Sequence, residues 1–199
     1  AELAGAWHML NELAHARAED LELLFPAAAV TRHDAASIDD RLGEGAVPDV
    51  VLMNPPFSAA AHVDRPMRDV ALRHVASALA RLSDGGRLVA IVGANCSPEA
   101  SAFRCGFERG QEQGTLLFSA AIAGKVYAKH GTTTATRLLV IDKVAAEDPT
   151  SFVASRGEAP DAATLLQWVE QELPPRSGPP AGAQPIVVQP IARAHDGQR

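Results

Sequence analysis

The chain has 199 residues, 47% of them hydrophobic, which suffices for one sizeable globular domain plus extras. No apolar run reaches bilayer-spanning length and no basic stretch precedes a short apolar one, so no membrane span is expected and the chain reads as cytoplasmic. With 24 acidic against 18 basic residues, the formal charge of −6 excludes a nucleic-acid binder that relies on overall charge. Any such function needs a local basic strip or a second domain to hold the phosphates.

In chain order, residues 1–6 read as the tail of a helix and Trp7–Leu13 as a short strand closing on Glu12. Residues 15–24 follow as a helix whose apolar side is supplied by Ala16, Leu21, Leu23 and Leu24. Ala28–Arg32 is a short strand leading to His33-Asp34. A helical turn over Ser37–Leu42 has Ser37 as its expected N-cap and Asp40 three residues on. Val50–Met53 is continuously apolar, as for a strand buried on both faces.

That strand stops at Asn54-Pro55-Pro56-Phe57. Two prolines fix φ and force the residues before them into extended backbone, so the turn is rigid. It presents the Asn54 amide and the Pro55 carbonyl as acceptors, with an aromatic ring just beyond. Such a turn suits gripping a planar group through its NH2 while stacking on its face. A Pro-Pro turn that merely packs Phe57 into the core is the plainer alternative.

The polar loop Ser58–Arg65 precedes an amphipathic helix carrying Met67, Ala71, Val75, Ala78, Leu79 and Leu82, with Pro66 in its first turn. It stops at Asp84-Gly85-Gly86. Arg87–Val92 is a strand, residues 98–112 a helix with Phe103 and Phe107 on one side, and Thr115–Ala121 and Thr136–Val144 a strand pair across the polar loop Lys125–Thr134. Strands alternating with helices predict an α/β sheet ending in an antiparallel hairpin. Glu12, Asp34 and Asn54 then fall at strand carboxyl ends, where such sheets bind ligands. Prolines become frequent from Pro149; one helix, Asp161–Leu173, carries Leu165, Leu166, Trp168 and Val169. Trp168 is expected to anchor that helix, and Pro174–Pro190 reads as a Pro/Gly-rich linker. Residues 1–148 are therefore taken as the folded domain and 149–199 as helix and linker. Cys96 and Cys105, without metal-site spacing, are expected to be reduced thiols, and no metal site is predicted.

Over roughly residues 1–145 this order resembles the class I S-adenosylmethionine-dependent amino-methyltransferases. Asn54-Pro55-Pro56-Phe57 matches their (Asn/Asp)-Pro-Pro-(aromatic) signature. The combination of Asn11-Glu12, His33-Asp34, that turn and Tyr127-Ala128-Lys129-His130-Gly131-Thr132 is similar to the adenine-specific methylase regions preceding strawberry-notch-like helicases. The resemblance implies a Rossmann-like methyltransferase sheet, S-adenosylmethionine as cofactor, DNA as partner and a helicase-like domain downstream. It implies that Asn54, Pro55, Pro56 and Phe57 hold the target amino group and its ring. Glu12 would take the cofactor ribose, Asp34 with Ala35 the adenine, and Asn54 would also border the cofactor. Tyr127, Lys129 and His130 would clamp the target base.

Other roles stay open for several of these. Glu12 also suits a helix start, Asp34 a turn cap and Tyr127 hairpin packing. His130 suits a phosphate or base contact better than a metal. Lys125, Lys129, Arg137, Arg65, Arg68 and Arg73 are candidates for a basic rim or for scattered surface charge. The turn is equally suited to a glutamine side-chain amide in a protein, or to a degenerate module that only binds.

The family's glycine-rich cofactor loop after its first strand has no match in the sequence. The first strand and its loop are therefore expected to be missing, leaving a gap or an open strand edge in the sheet. The isolated chain is accordingly expected to bind S-adenosylmethionine weakly or not at all; micromolar affinity by calorimetry would contradict this.

Overall fold

The computed structural model describes residues 8–56 and 69–176. Trp7, the helix tail 1–6, Phe57, the loop Ser58–Arg65, Pro66, Met67, Arg68 and residues 177–199 lie outside these, as does the side chain of His130.

Two short parallel strands open the fold. β1 (Met9–Asn11) pairs with β2 (Ala29–Thr31) across α1 (His15–Leu24), with Asn11 opposite Thr31. A 3-10 turn (Ala35–Ser37) runs into the one-turn α2 (Ile38–Arg41). β3 (Val50–Met53), α3 (Val70–Arg81) and β4 (Arg87–Gly93) then form a parallel strand–helix–strand unit. α4 (Ser101–Gln111) leads to the hairpin of β5 (Thr115–Ile122) and β6 (Thr136–Asp142), with β6 antiparallel to both β4 and β5. β7 (Glu158–Ala159) adds beside β5, and α5 (Ala162–Glu172) closes the described fold. The second sheet therefore has the order β3-β4-β6-β5-β7, with β3 at its end.

Two apolar layers sandwich this sheet. On one face Leu79 and Leu82 of α3 and Phe107 of α4 pack on Leu88, Val92 and Leu139. On the other, Leu165, Trp168 and Val169 of α5 cover Phe118, Ile122 and Val140. Each fully buried large side chain contributes roughly 1.5–3 kcal/mol. The segment after residue 148 is part of this packing. Gln111 Nε2 donates to the carbonyls of Pro149 (3.0 Å) and Ser151 (2.7 Å), Phe152 meets Phe107 edge-on at 6.3 Å, and the Arg156 guanidinium lies 5.0 Å from the Trp168 ring centre. Trp168 thus anchors its helix as the sequence suggested.

α3 joins the two sheets. The Ala35–Ser37 turn and α2 pack along it. Ser77 on α3 exchanges hydrogen bonds with Asp39, and Arg81 reaches the carbonyls of Leu42, Gly43 and Ala46. At the far end of α3, Lys143 Nζ donates to the Ala80 and Leu82 carbonyls, which the helix leaves unpaired. Gly85 turns the chain back with φ of 74°, a conformation that costs glycine nothing.

Three local expectations are corrected. Val50–Met53 is not buried on both faces: Val51 and Met53 pack on the core, while Val50 and Leu52 are 49% and 77% exposed. An end strand with helices on one side alternates, and a continuous apolar run does not reveal which kind of strand it is. On α1, Ala16, Leu23 and Leu24 are exposed and Ala18 is the buried residue, because among the described residues only β2 packs closely against this helix. Ser37 makes no side-chain cap. Asp34 caps instead, one turn earlier, accepting from the Ala36 amide at 2.9 Å.

The asymmetry of β3 and β4 is measurable by urea denaturation. Leu88→Ala, at a fully buried position, should cost about 2–5 kcal/mol. Leu52→Ala should change stability by less than about 0.5 kcal/mol, as for ordinary surface substitutions.

Candidate functional site

Chain direction gathers the polar strand ends at the carboxyl edge of each sheet. β1 and β2 run together, so their ladder delivers Glu12 and the His33-Asp34 pair side by side; the Glu12 amide donates to the Thr31 carbonyl at 3.0 Å as the last rung. β3 and β4 run together, and β5 runs the same way because both β4 and β5 oppose β6. Asn54, the Gly93-Ala94-Asn95 turn and the 3-10 helix Gly124–His130 therefore share the carboxyl edge of the second sheet. The crossover from β3 places the first turns of α3 at that edge too. There the Asp34 carboxylate lies near enough to act on His74 of α3. Burial holds the His74 imidazole below its ordinary range, opposed by Asp34 and aided by Arg73.

Glu12 is ionised and doubly engaged. Its Oε1 accepts from Arg17 at 2.8 Å and from the Ala14 amide at 2.7 Å, and these bonds hold its carboxyl below the usual carboxylate range. Oε2 has no partner among the described residues. Asp34 is exposed, with Oδ1 bonded to the Ala36 amide and Oδ2 similarly unengaged. Free carboxylate oxygens on neighbouring strand ends fit a ligand offering hydroxyls and an amino group, as a nucleoside does. Ala35 is half-buried in the turn that meets α3. Asn54 is exposed and its side chain makes no hydrogen bond among the described residues; Pro55 behind it is buried and Pro56 exposed. The buried ring locks the turn to the core while the amide stays presented.

The later elements are placed differently. Tyr127 packs against the Phe118–Val140 layer, and its hydroxyl shares a 3.0 Å hydrogen bond with Thr136. It thereby pins the 3-10 helix to β6. Its parent strand β5 stands three strand spacings, about 14 Å, from β3. Lys125 and Lys129 are exposed on the same 3-10 helix. At Gly124 any Cβ would collide with the Thr133 backbone, so only glycine lets the loop fold back there. Arg137 leaves the expected basic rim: it is buried, and donates to Ala94 O at 3.1 Å, Ser119 Oγ at 2.7 Å and Ser155 Oγ at 2.9 Å. It faces inward because β6 is an inner strand covered on both faces, a placement that charge alone does not indicate.

Cys96 is buried, and burial pushes its thiol up to about 12; Cys105 is exposed, and both are free. No helix among the described residues is long and apolar enough to cross a membrane.

No family model matches the chain, and no curated protein matches its sequence. Solved structures do match its shape. A modification subunit assigned to a type I restriction enzyme of Vibrio vulnificus superposes with a TM-score of 0.58 at 13% identity, over 84% of this chain and 41% of that one. A protein of Listeria monocytogenes assigned to the class I S-adenosylmethionine-dependent methyltransferases gives 0.59 at 11% identity, over 82% of this chain and 54% of its own. The M protein of the EcoKI type I restriction enzyme gives 0.54 at 18%, covering 71% and 32%. The fold is thus of the class I methyltransferase type, and the chain spans well under two thirds of each of these structures.

The Glu12–Arg17 pair sets a pH test. A depressed folded pKa means that the stabilisation is present above the ordinary carboxylate range and is lost as pH falls through the lowered value. Arg17→Ala should move the Glu12 titration, followed by side-chain carboxyl NMR, up toward the unperturbed range; an unmoved midpoint would show that the Ala14 amide alone sets it.

Proposed function

We propose that this chain belongs to an S-adenosylmethionine-dependent methyltransferase acting on an exocyclic amino group, adenine in DNA. The observation that carries this proposal is the exposed Asn54 with the buried Pro55 at the carboxyl end of a parallel strand; the Glu12 and Asp34 carboxylates at the ends of β1 and β2 support it. The likeness to restriction-enzyme modification subunits favours DNA over a protein amide as the target.

The exocyclic amino group of adenine is a weak nucleophile because its lone pair is delocalised into the ring. Asn54 Oδ1 and the Pro55 carbonyl accept its two N–H bonds, which favours a pyramidal nitrogen with its lone pair available. When bound, the cofactor supplies a methyl group already activated on sulfonium sulfur. The chain's own contribution is therefore positioning and electrostatic complementarity. Glu12 would hold the ribose hydroxyls of the cofactor, and Asp34 with Ala35 would hold its adenine. No residue has to remove a proton before transfer. Afterwards the nitrogen is acidic enough to lose it to water or to Asn54-bound solvent. Phe57 stacks on a base flipped out of the duplex, and Lys129, His130 and Tyr127 meet the target strand from the far side of the edge.

A helicase-like domain following in the same polypeptide remains part of this proposal, as the source of phosphate contacts that a chain of charge −6 needs. No glycine-rich turn follows any described strand; β1, β2, β3 and β4 lead into Glu12-Leu13, Arg32-His33, Asn54-Pro55 and Ala94-Asn95. The residues for the amino-acid half of the cofactor are not among those described.

The test is transfer of tritium from labelled cofactor by the intact protein, with DNA and protein acceptors compared. Label is expected in DNA adenine. Asn54→Ala should lower the rate by a factor equivalent to about 3 kcal/mol, as for loss of one preorganised hydrogen-bond partner. Label in protein glutamine, or full activity in the Asn54 variant, would overturn the assignment.

A further inference from the structure

We propose that Asn11 is a positioning residue for the ligand-holding edge, its side-chain amide setting the spacing of Glu12 and Asp34; this rests on the function proposed above. The β1–β2 ladder ends at the bond from the Glu12 amide to the Thr31 carbonyl. Beyond Thr31 the second chain has no strand partner among the described residues to guide it to Asp34. The Asn11 side chain provides one. Its Oδ1 accepts from the His33 amide at 3.0 Å, and its Nδ2 donates to the His33 carbonyl at 3.0 Å. One side-chain amide thus engages both backbone groups of a single residue, as a neighbouring strand would.

The Thr31 hydroxyl donates to the same Oδ1 at 2.9 Å, which fixes the amide's orientation from below. Asn11, Thr31 and His33 are all half-buried, so these bonds are partly shielded from water. Asn11 precedes Glu12, and His33 precedes Asp34. Fixing His33 to Asn11 therefore holds two carboxylates together that no direct contact connects.

Only asparagine meets the geometry. Aspartate keeps the acceptor but loses the donor and sets its charge against the His33 carbonyl; glutamine is one methylene too long; leucine fills the space with neither group. Asn11 touches no ligand in this scheme. It acts through the backbone of residue 33.

The experiment uses the intact protein, with S-adenosylhomocysteine and adenosine as calorimetric probes and amide hydrogen exchange at His33 and Asp34. Asn11→Asp and Asn11→Leu are expected to release protection at His33 and weaken both probes about tenfold, the equivalent of one lost hydrogen bond. Ile141→Val, a core change of similar effect on stability, should leave both affinities unchanged. Protection at His33 that survives in Asn11→Asp would overturn the positioning role. So would wild-type affinity in that variant, or a loss that merely tracks the unfolded fraction and is shared by Ile141→Val. A wild-type protein that binds neither probe would instead remove the proposed function, while the exchange data still decide whether Asn11 holds the His33–Asp34 backbone.

Discussion

Everything at the carboxyl edge depends on α3 being held from two sides. Its apolar face packs into the core of the five-stranded sheet through Val75, Leu79 and Leu82. Its Ser77 and Arg81 hold the segment from Asp39 to Ala46 by hydrogen bonds to a carboxylate and to backbone carbonyls. The described strands form two sheets that share no ladder. α3 is the described element that links them, packing on the five-stranded sheet and on the Ala35–Ser37 turn and α2 that follow β2. Apolar burial gives the helix its position, and directed polar contacts fasten the segment from Asp39 to Ala46 to it.

The charges follow from the same geometry. The buried Arg137 is held by the neutral oxygens of Ala94, Ser119 and Ser155, and the half-buried Arg87 by the Asp142 carboxylate at 2.6 and 2.8 Å. Arg87 also reaches the Pro174 carbonyl, and Arg176 reaches that of Asp49, so the chain after α5 lies along the opposite, amino end of β3 and β4. Arg87 and Arg176 thus tie the chain after α5 to the amino end of the sheet, while Arg137 fastens the Ala94 turn and Arg17 holds one oxygen of Glu12 at the carboxyl ends. At Glu12, Asp34 and Asn54 the side-chain oxygens without a partner among the described residues are acceptors, which suits ligands rich in N–H and O–H donors.

Much of this was legible from residue pattern. The helices over 15–24, 70–81, 101–111 and 162–172 and the hairpin of β5 and β6 all appear close to their expected places, because their apolar periods are long and clear. The three polar strand ends were legible because a strand must end where an Asn-Pro-Pro turn or an acidic residue stops its apolar run. Other features were not. Val50-Val51-Leu52-Met53 has no polar alternation to mark it as an end strand, and Leu23-Leu24 are exposed although apolar. Arg137 looks like any surface arginine until the register of β6 turns it inward. Asn11 was visible only as part of a motif, since its three bonds cross to residues 31 and 33.

The sequence by itself determined which residues stand at strand ends, because hydrophobic period and proline stereochemistry are local properties of the chain. It also determined the rigid Asn54-Pro55-Pro56 turn, whose shape needs no neighbour. Only the tertiary structure decided which of those ends work together. Parallel pairing set Glu12 beside the His33-Asp34 segment, the Asn11 side chain bonded across to His33, and packing on α3 joined the Ala35–Ser37 turn to the five-stranded sheet. These are contacts between residues distant in sequence, governed by packing and register, and no local pattern encodes them.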